Sequence, residues 1–181
     1  MKLINRIVFL LLIPTVIYGQ TVHVDEGRIV YKGTVKVEQV NKEDMYARAV
    51  NAIHNNIKGS KEGTVEGNNE KEKIAATGSI KLSSPYHIIK TVEYILELSV
   101  EDGKYKYRID SVYIKQVERG GKTTRIYSEE LLKGLDVTAS GFVPGSANVE
   151  KQLNEIDMNF QKLLALVKND IKMTSIVKKQ E

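Results

Sequence analysis

Cysteine is absent from the 181 residues, which excludes disulfides, thiol nucleophiles and cysteine-based metal sites together. Histidine is nearly as scarce. His23, His54 and His87 are the only three, and none has a second ligand at the spacing that sets two on one helix face. No Gly-x-Ser-x-Gly or similar arrangement provides an activated hydroxyl. A membrane-spanning run is also lacking: the apolar stretch from Ile7 to Ile17 is eleven residues with Pro14 inside it, where about 20 are needed. Finally, charge of one sign is missing. The formal net charge is only +4, with Lys and Glu interspersed.

What is present begins with Lys2 and Arg6 ahead of that short apolar run, and Tyr18-Gly19 then Gln20 after it. This order predicts a secretory signal over 1–19, cleaved after Gly19, and no stable transmembrane anchor afterwards. No Cys follows the run, so a lipid-modified N-terminus is not available. Cleavage leaves 25 basic against 23 acidic residues. Such a mixed surface is not the one-sided basic patch of a nucleic-acid binder, so no nucleic-acid partner is expected. With 41% hydrophobic and 28% charged residues, the remainder has the composition of one globular domain with a core held by packing alone.

The strongest local pattern lies at 91–115, TVEYILELSVEDGKYKYRIDSVYIK. Apolar residues alternate through Val92, Tyr94, Leu96, Leu98 and Val100, and Asp102-Gly103 supplies a two-residue type I′ turn. Pairing across it sets Val100 opposite Tyr105, Leu98 opposite Tyr107, Leu96 opposite Ile109, Tyr94 opposite Ser111 and Val92 opposite Tyr113. One face is then almost wholly apolar. On the other, Glu101 meets Lys104 and Glu97 meets Arg108, each pair contributing about 0.2–1 kcal/mol in the same register.

Residues 20–27 read as a flexible leader before a half-buried strand over 28–40, in which Gly33 marks a bulge or a close helix approach. Asn41 is placed as the N-cap of a helix over 42–57, with Glu43 and Asp44 in its first turn and Met45, Ala49, Ile53 and Ile57 along one side. The charged, Gly-rich stretch 58–73 is a connection with a short strand at 64–66. Ile74, Ala76, Gly78, Ile80 and Leu82 predict another strand, and Ser128 to Leu132 a short helix ending near Gly134. Leu153, Ile156, Phe160, Leu163, Leu164, Val167 and Ile171 predict a long helix over 147–173, followed by a loose tail at 174–181. This order is α+β: an antiparallel sheet of about four or five strands with two long helices on one face, in a single domain over 28–173. The opposite face, with Lys32, Lys36, Lys81, Glu93, Glu97, Lys106 and Arg108, is left to solvent.

Candidate chemistry thins out under inspection. Gly120-Gly121-Lys122-Thr123-Thr124 resembles the end of a phosphate-binding loop, but its upstream Gly position is Gln116, and Arg125-Ile126-Tyr127 reads as extended rather than helical. Glu129 and Glu130 are adjacent, so on a helix they point about 100° apart and suit its N-terminus better than acid–base work. Tyr94, Tyr105, Tyr107 and Tyr113 fall on the hairpin's apolar face, where they act as core or as one side of a ligand groove under the helices. They are the candidate site residues. No catalytic residue, metal or cofactor is expected.

Four stretches stand out together: Gly27-Arg28-Ile29-Val30-Tyr31, Asn41-Lys42-Glu43-Asp44-Met45-Tyr46-Ala47-Arg48-Ala49, Ile74-Ala75-Ala76-Thr77-Gly78 and Val100-Glu101-Asp102-Gly103-Lys104-Tyr105-Lys106-Tyr107. With them the chain resembles a family of exported bacterial proteins, a domain of unknown function with a TATA-box-binding-protein-like (TBP-like) fold. The resemblance covers about 25–117 and implies a fold but no catalytic residues. DNA binding is not implied either, because a minor-groove saddle inserts apolar wedges from its exposed face, and here that face is Lys, Glu and Thr. The expected function is a non-catalytic periplasmic or cell-surface module that binds a protein partner or envelope component. The alternative is a carrier of a small apolar ligand between helices and sheet.

Overall fold

The computed structural model describes residues 22–57, 66–68, 73–85, 88–139 and 146–173. The expected signal and the tail at 174–181 lie outside them. Strand β3 (Tyr31–Lys36), β4 (Glu66–Asn68), β5 (Lys73–Leu82), β6 (Ile88–Glu101) and β7 (Lys104–Glu118) form one antiparallel sheet in the order β3-β7-β6-β5-β4. Strand β8 (Thr123–Tyr127) also pairs with β7. Helices α1 (Lys42–Asn56) and α3 (Ser146–Met173) pack on each other and on the inner face, while α2 (Ser128–Ala139) packs between α3 and the end of the sheet carrying β8.

Local chemistry explains most of these elements. Asn41 has extended backbone, and its side-chain oxygen accepts from the Asp44 N–H at 2.8 Å, so α1 starts where a capping residue can satisfy an otherwise orphaned donor. Met45, Ala49, Ala52 and Ile53 are buried along α1, and Leu153, Ile156, Phe160, Leu163, Val167 and Ile171 along α3. The sheet answers with Ile74, Leu96, Leu98, Ile109 and Ile114, all fully buried. Each large apolar side chain so covered contributes about 1.5–3 kcal/mol relative to exposure. Polar ties fix how α3 lies: the Tyr31 hydroxyl donates to buried Asp157 at 2.8 Å, and Arg48, itself buried, donates to the Ile171 carbonyl in the last turn of α3.

Several expectations need correction. The leader is drawn into the fold from residue 22 on: β1 (Val24–Asp25) pairs with β2 (Arg28–Ile29) through Glu26-Gly27, both at positive φ, and His23 packs edge-on against Tyr31 at 5.0 Å. The first long strand is broken at Val30, whose N–H turns back to the His23 carbonyl, and it ends at Lys36 instead of residue 40. Gly33 is approached by an aromatic ring and not by a helix. Its cross-strand partner Tyr107 lies over it, and a Cβ at Gly33 would be 2.6 Å from the Tyr107 hydroxyl. The short strand comes two residues later than placed, at Glu66–Asn68, and α2 continues past Gly134 to Ala139.

The hairpin itself is corrected at both ends. Only Gly103 of the turn pair has positive φ, so the turn is not type I′. The link between β3 and α1 clasps it: Val37 N–H donates to the Gly103 carbonyl, Gly103 N–H to the Val40 carbonyl, and Lys42 N–H to Asp102 Oδ1. Farther along, the pairs Val100 with Tyr105, Leu98 with Tyr107 and Leu96 with Ile109 hold, but Ile95 then pairs with Asp110 and Glu93 with Tyr113. Two residues, Ser111 and Val112, stand opposite Tyr94 alone. This β-bulge exchanges the faces beyond it, so Val112 and Ile114 are buried and Val92 pairs with Ile114.

Candidate functional site

Because of the bulge, the four candidate tyrosines do not share one surface. Tyr94 and Tyr105 are buried on the inner face, and Tyr107 is half-buried there over Gly33. Phe160 fills the place a ligand would take, its ring 5.0 Å from that of Tyr94 and 5.1 Å from that of Tyr31. Burial pushes the Tyr94 hydroxyl up to about 12 and raises Tyr105 as well. Tyr113 is the correction among the four: it points to the outer face, where its hydroxyl donates to Glu93 and that hydrogen bond raises its pKa.

The bulge coincides with a gap in the sheet. On the edge of β7 away from β6, β3 covers Lys104 to Ile109 and β8 covers Tyr113 to Val117. Asp110, Ser111 and Val112 between them face neither strand. Here a cleft of about 310 Å³ opens, lined by β2 at Arg28, by the bulge, and by Tyr127, Ser128 and Glu129 where β8 runs into α2. Ser111 holds a left-handed backbone (φ 54°) without being glycine, a conformation that costs about 1–2 kcal/mol and that Asp110 supports by accepting from its hydroxyl at 3.1 Å.

Charges in the cleft and on the strands beside it are fixed in pairs. Arg108 Nε donates to Asp110 at 2.7 Å, which raises the guanidinium pKa further, and Lys32 binds Asp25 at 2.6 Å, which lowers the Asp25 carboxyl. Tyr113 and Tyr127 are direct cross-strand partners with ring centres 5.7 Å apart, and the Arg125 guanidinium lies 5.4 Å from the Tyr113 ring centre. Elsewhere, Gly120 to Lys122 form a tight hairpin turn, with Gly121 N–H bonded to the Glu118 carbonyl and β8 extended after it, which is incompatible with a phosphate-binding loop. Glu129 and Glu130 occupy the first turn of α2. His54 is exposed on α1, and His87 lies outside the described residues. Among the described residues, no cluster of three or more His, Asp or Glu could hold a metal.

Residues 31–115 match a family model described as a domain of unknown function (DUF4468) with TBP-like fold. This stretch is a DUF4468 domain. Its fold is shared with a crystallised TBP-like protein from Parabacteroides distasonis: TM-score 0.61 at 12% identity, covering 82% of this chain and 97% of that one. A DUF4468 family protein from Bacteroides ovatus matches similarly, with TM-score 0.56 at 16% identity over 83% of this chain and 91% of that one. At such identities the likeness shows the fold alone. No curated protein matches the chain. The DUF4468 match includes the bulge, whereas Arg28 and Tyr127 to Glu129 stand outside it, so flanking segments complete the cleft.

Sequence reasoning missed Arg28, Ser111, Arg125 and Tyr127 at this place. A signal existed for the bulge: buried positions step from Ile109 to Val112 and then Ile114, changing phase from odd to even. Tyr127 and Arg28 gave none, because their approach to the gap depends on how β8 and β2 dock.

Proposed function

We propose that this DUF4468 protein is a non-catalytic exported module that binds a component of the cell envelope, through the cleft at the bulge of β7. The observation that carries the reading is strained, non-glycine Ser111 at the one stretch of that β7 edge left uncovered between β3 and β8. Bulges and strained backbone concentrate where a fold aims side chains at a ligand. The groups around it are suited to holding, not to proton transfer: the carboxylates of Asp110 and Glu129 accept from adjacent serine hydroxyls or from Arg108.

Export is supported by the basic start, short apolar run and Gly19-Gln20 junction of the N-terminus. Among the described residues no helix is long and apolar enough to cross a membrane. A nucleic-acid partner is disfavoured because five of the outer-face cations are already matched: Lys104 and Lys106 with Glu101, Arg108 with Asp110, Lys32 with Asp25, Lys115 with Glu93. The apolar-carrier alternative is opposed by Phe160, which occupies the space beside Tyr94.

A photo-crosslinking residue at position 127, compared with one at exposed Met158 on α3, tests the reading in the intact host. An envelope-fraction adduct formed from position 127 and not from position 158 supports it. Equal adducts from both positions, or protein retained in the cytoplasm with its N-terminus intact, overturns it.

A further inference from the structure

The lining of the cleft narrows what it can hold, granted the reading above that it is the binding surface. Its charged side chains balance, Arg28 and Arg108 against Asp110 and Glu129, and Arg108 already donates to Asp110. Neither an anion nor a cation meets a net field of opposite sign there. What the lining does offer is a set of fixed hydrogen-bonding groups beside an aromatic surface. Tyr127 is 49% exposed, and its ring is tilted by 46° against Tyr113, whose own ring is held by Arg125. Such a ring gains from being covered by apolar C–H surface. The cleft's volume, about 310 Å³, is at the small end of the roughly 300–1,000 Å³ of small-ligand sites.

A molecule with an apolar C–H face, a rim of hydroxyls and no net charge complements all three properties. We infer that the cleft binds a neutral saccharide, with Tyr127 under one sugar ring and Arg28, Asp110 and Ser111 hydrogen-bonding its hydroxyls. A peptide adding as a strand is the weaker fit, because the uncovered edge is only Asp110 to Val112, where strands usually run about five or six residues.

Isotope-labelled full-length protein titrated with maltotriose, cellotriose and chitotriose, followed by amide chemical shifts, provides the test. The expected result is a perturbation confined to the bulge and the start of α2 for at least one sugar, with Kd on the order of 1 mM. Tyr127→Ala should weaken it about tenfold or more, and Tyr127→Phe, which keeps the ring and the fold, should retain it; Met158→Ala on α3 should leave it unchanged. Inorganic phosphate and acetate should not perturb the same amides. The inference is overturned if none of the sugars shifts them, if Tyr127→Ala binds as the parent does, or if phosphate competes. If the sugars fail while position 127 still crosslinks to an envelope protein, the saccharide is wrong and the binding module stands. Failure of both removes both.

Discussion

A methyl group at Gly78 would lie 2.3 Å from the ring end of its cross-strand partner Tyr94, which is buried and has nowhere to move. Gly78→Ala should therefore cost about 1–3 kcal/mol by overpacking, read as a lower urea midpoint at constant m, and Tyr94→Leu should recover part of it. Gly33→Ala should cost less, because half-exposed Tyr107 can swing away. Tyr31 and Asp157 form a second sensitive pair. Both are buried, and the tyrosine hydroxyl is the hydrogen-bond donor to the carboxylate. Tyr31→Phe should cost about 2–3 kcal/mol by stranding that carboxylate, and the double variant Tyr31→Phe with Asp157→Leu should cost less than the two single changes added together. Neither pair is visible in sequence. Gly78 and Tyr94 are 16 positions apart, and Tyr31 and Asp157 are 126 apart.

Among the elements, those governed by neighbouring residues were legible. The cap at Asn41, the stripes of α1 and α3 and the register from Glu101–Lys104 to Leu96–Ile109 all follow from local periodicity and cross-strand pairing. Asn41→Ala should cost about 1 kcal/mol, measurable as a fall in Tm with no change in fold. Features set by a distant partner were not legible. Asp102-Gly103 has the composition of a type I′ turn, yet three hydrogen bonds from the β3–α1 link hold it otherwise. Arg108 is a local exception: Glu97 stands opposite it as the pattern requires, while the guanidinium turns along its own strand to Asp110, two residues on. The bulge is intermediate, since its phase change is written in Ile109, Val112 and Ile114. Deleting Ser111 should remove the bulge while keeping Val112 and Ile114 inward, opposite Tyr94 and Val92, so that a cooperative unfolding transition is retained while the crosslink from position 127 is lost. Ser111→Gly should keep the fold and its stability within about 1 kcal/mol, because relief of the left-handed strain offsets added chain entropy.

For the molecule as a whole, the buried tyrosines predict an alkaline limit. Tyr31, Tyr94 and Tyr105 all have raised pKa values in the folded state, with burial the largest cause and, for Tyr31, the Asp157 carboxylate adding to it. The folded state holds these protons more tightly than the unfolded chain, so stability is fully present below about pH 10 and falls as pH rises; for Tyr94 the window closes near its folded value of about 12. Urea unfolding at increasing pH should show a loss approaching about 1.4 kcal/mol per pH unit for each such group, and Tyr94→Phe should flatten that slope. By itself the sequence determined the fold class, the two long helices, the central hairpin and its apolar face, because periodicity and burial act through residues close in the chain. Tertiary structure alone decided that Tyr113 leaves that face, that Phe160 fills the space beside Tyr94, and that β2 and α2 close a cleft over the bulge. These outcomes depend on which distant surfaces meet, and no spacing along the chain encodes that.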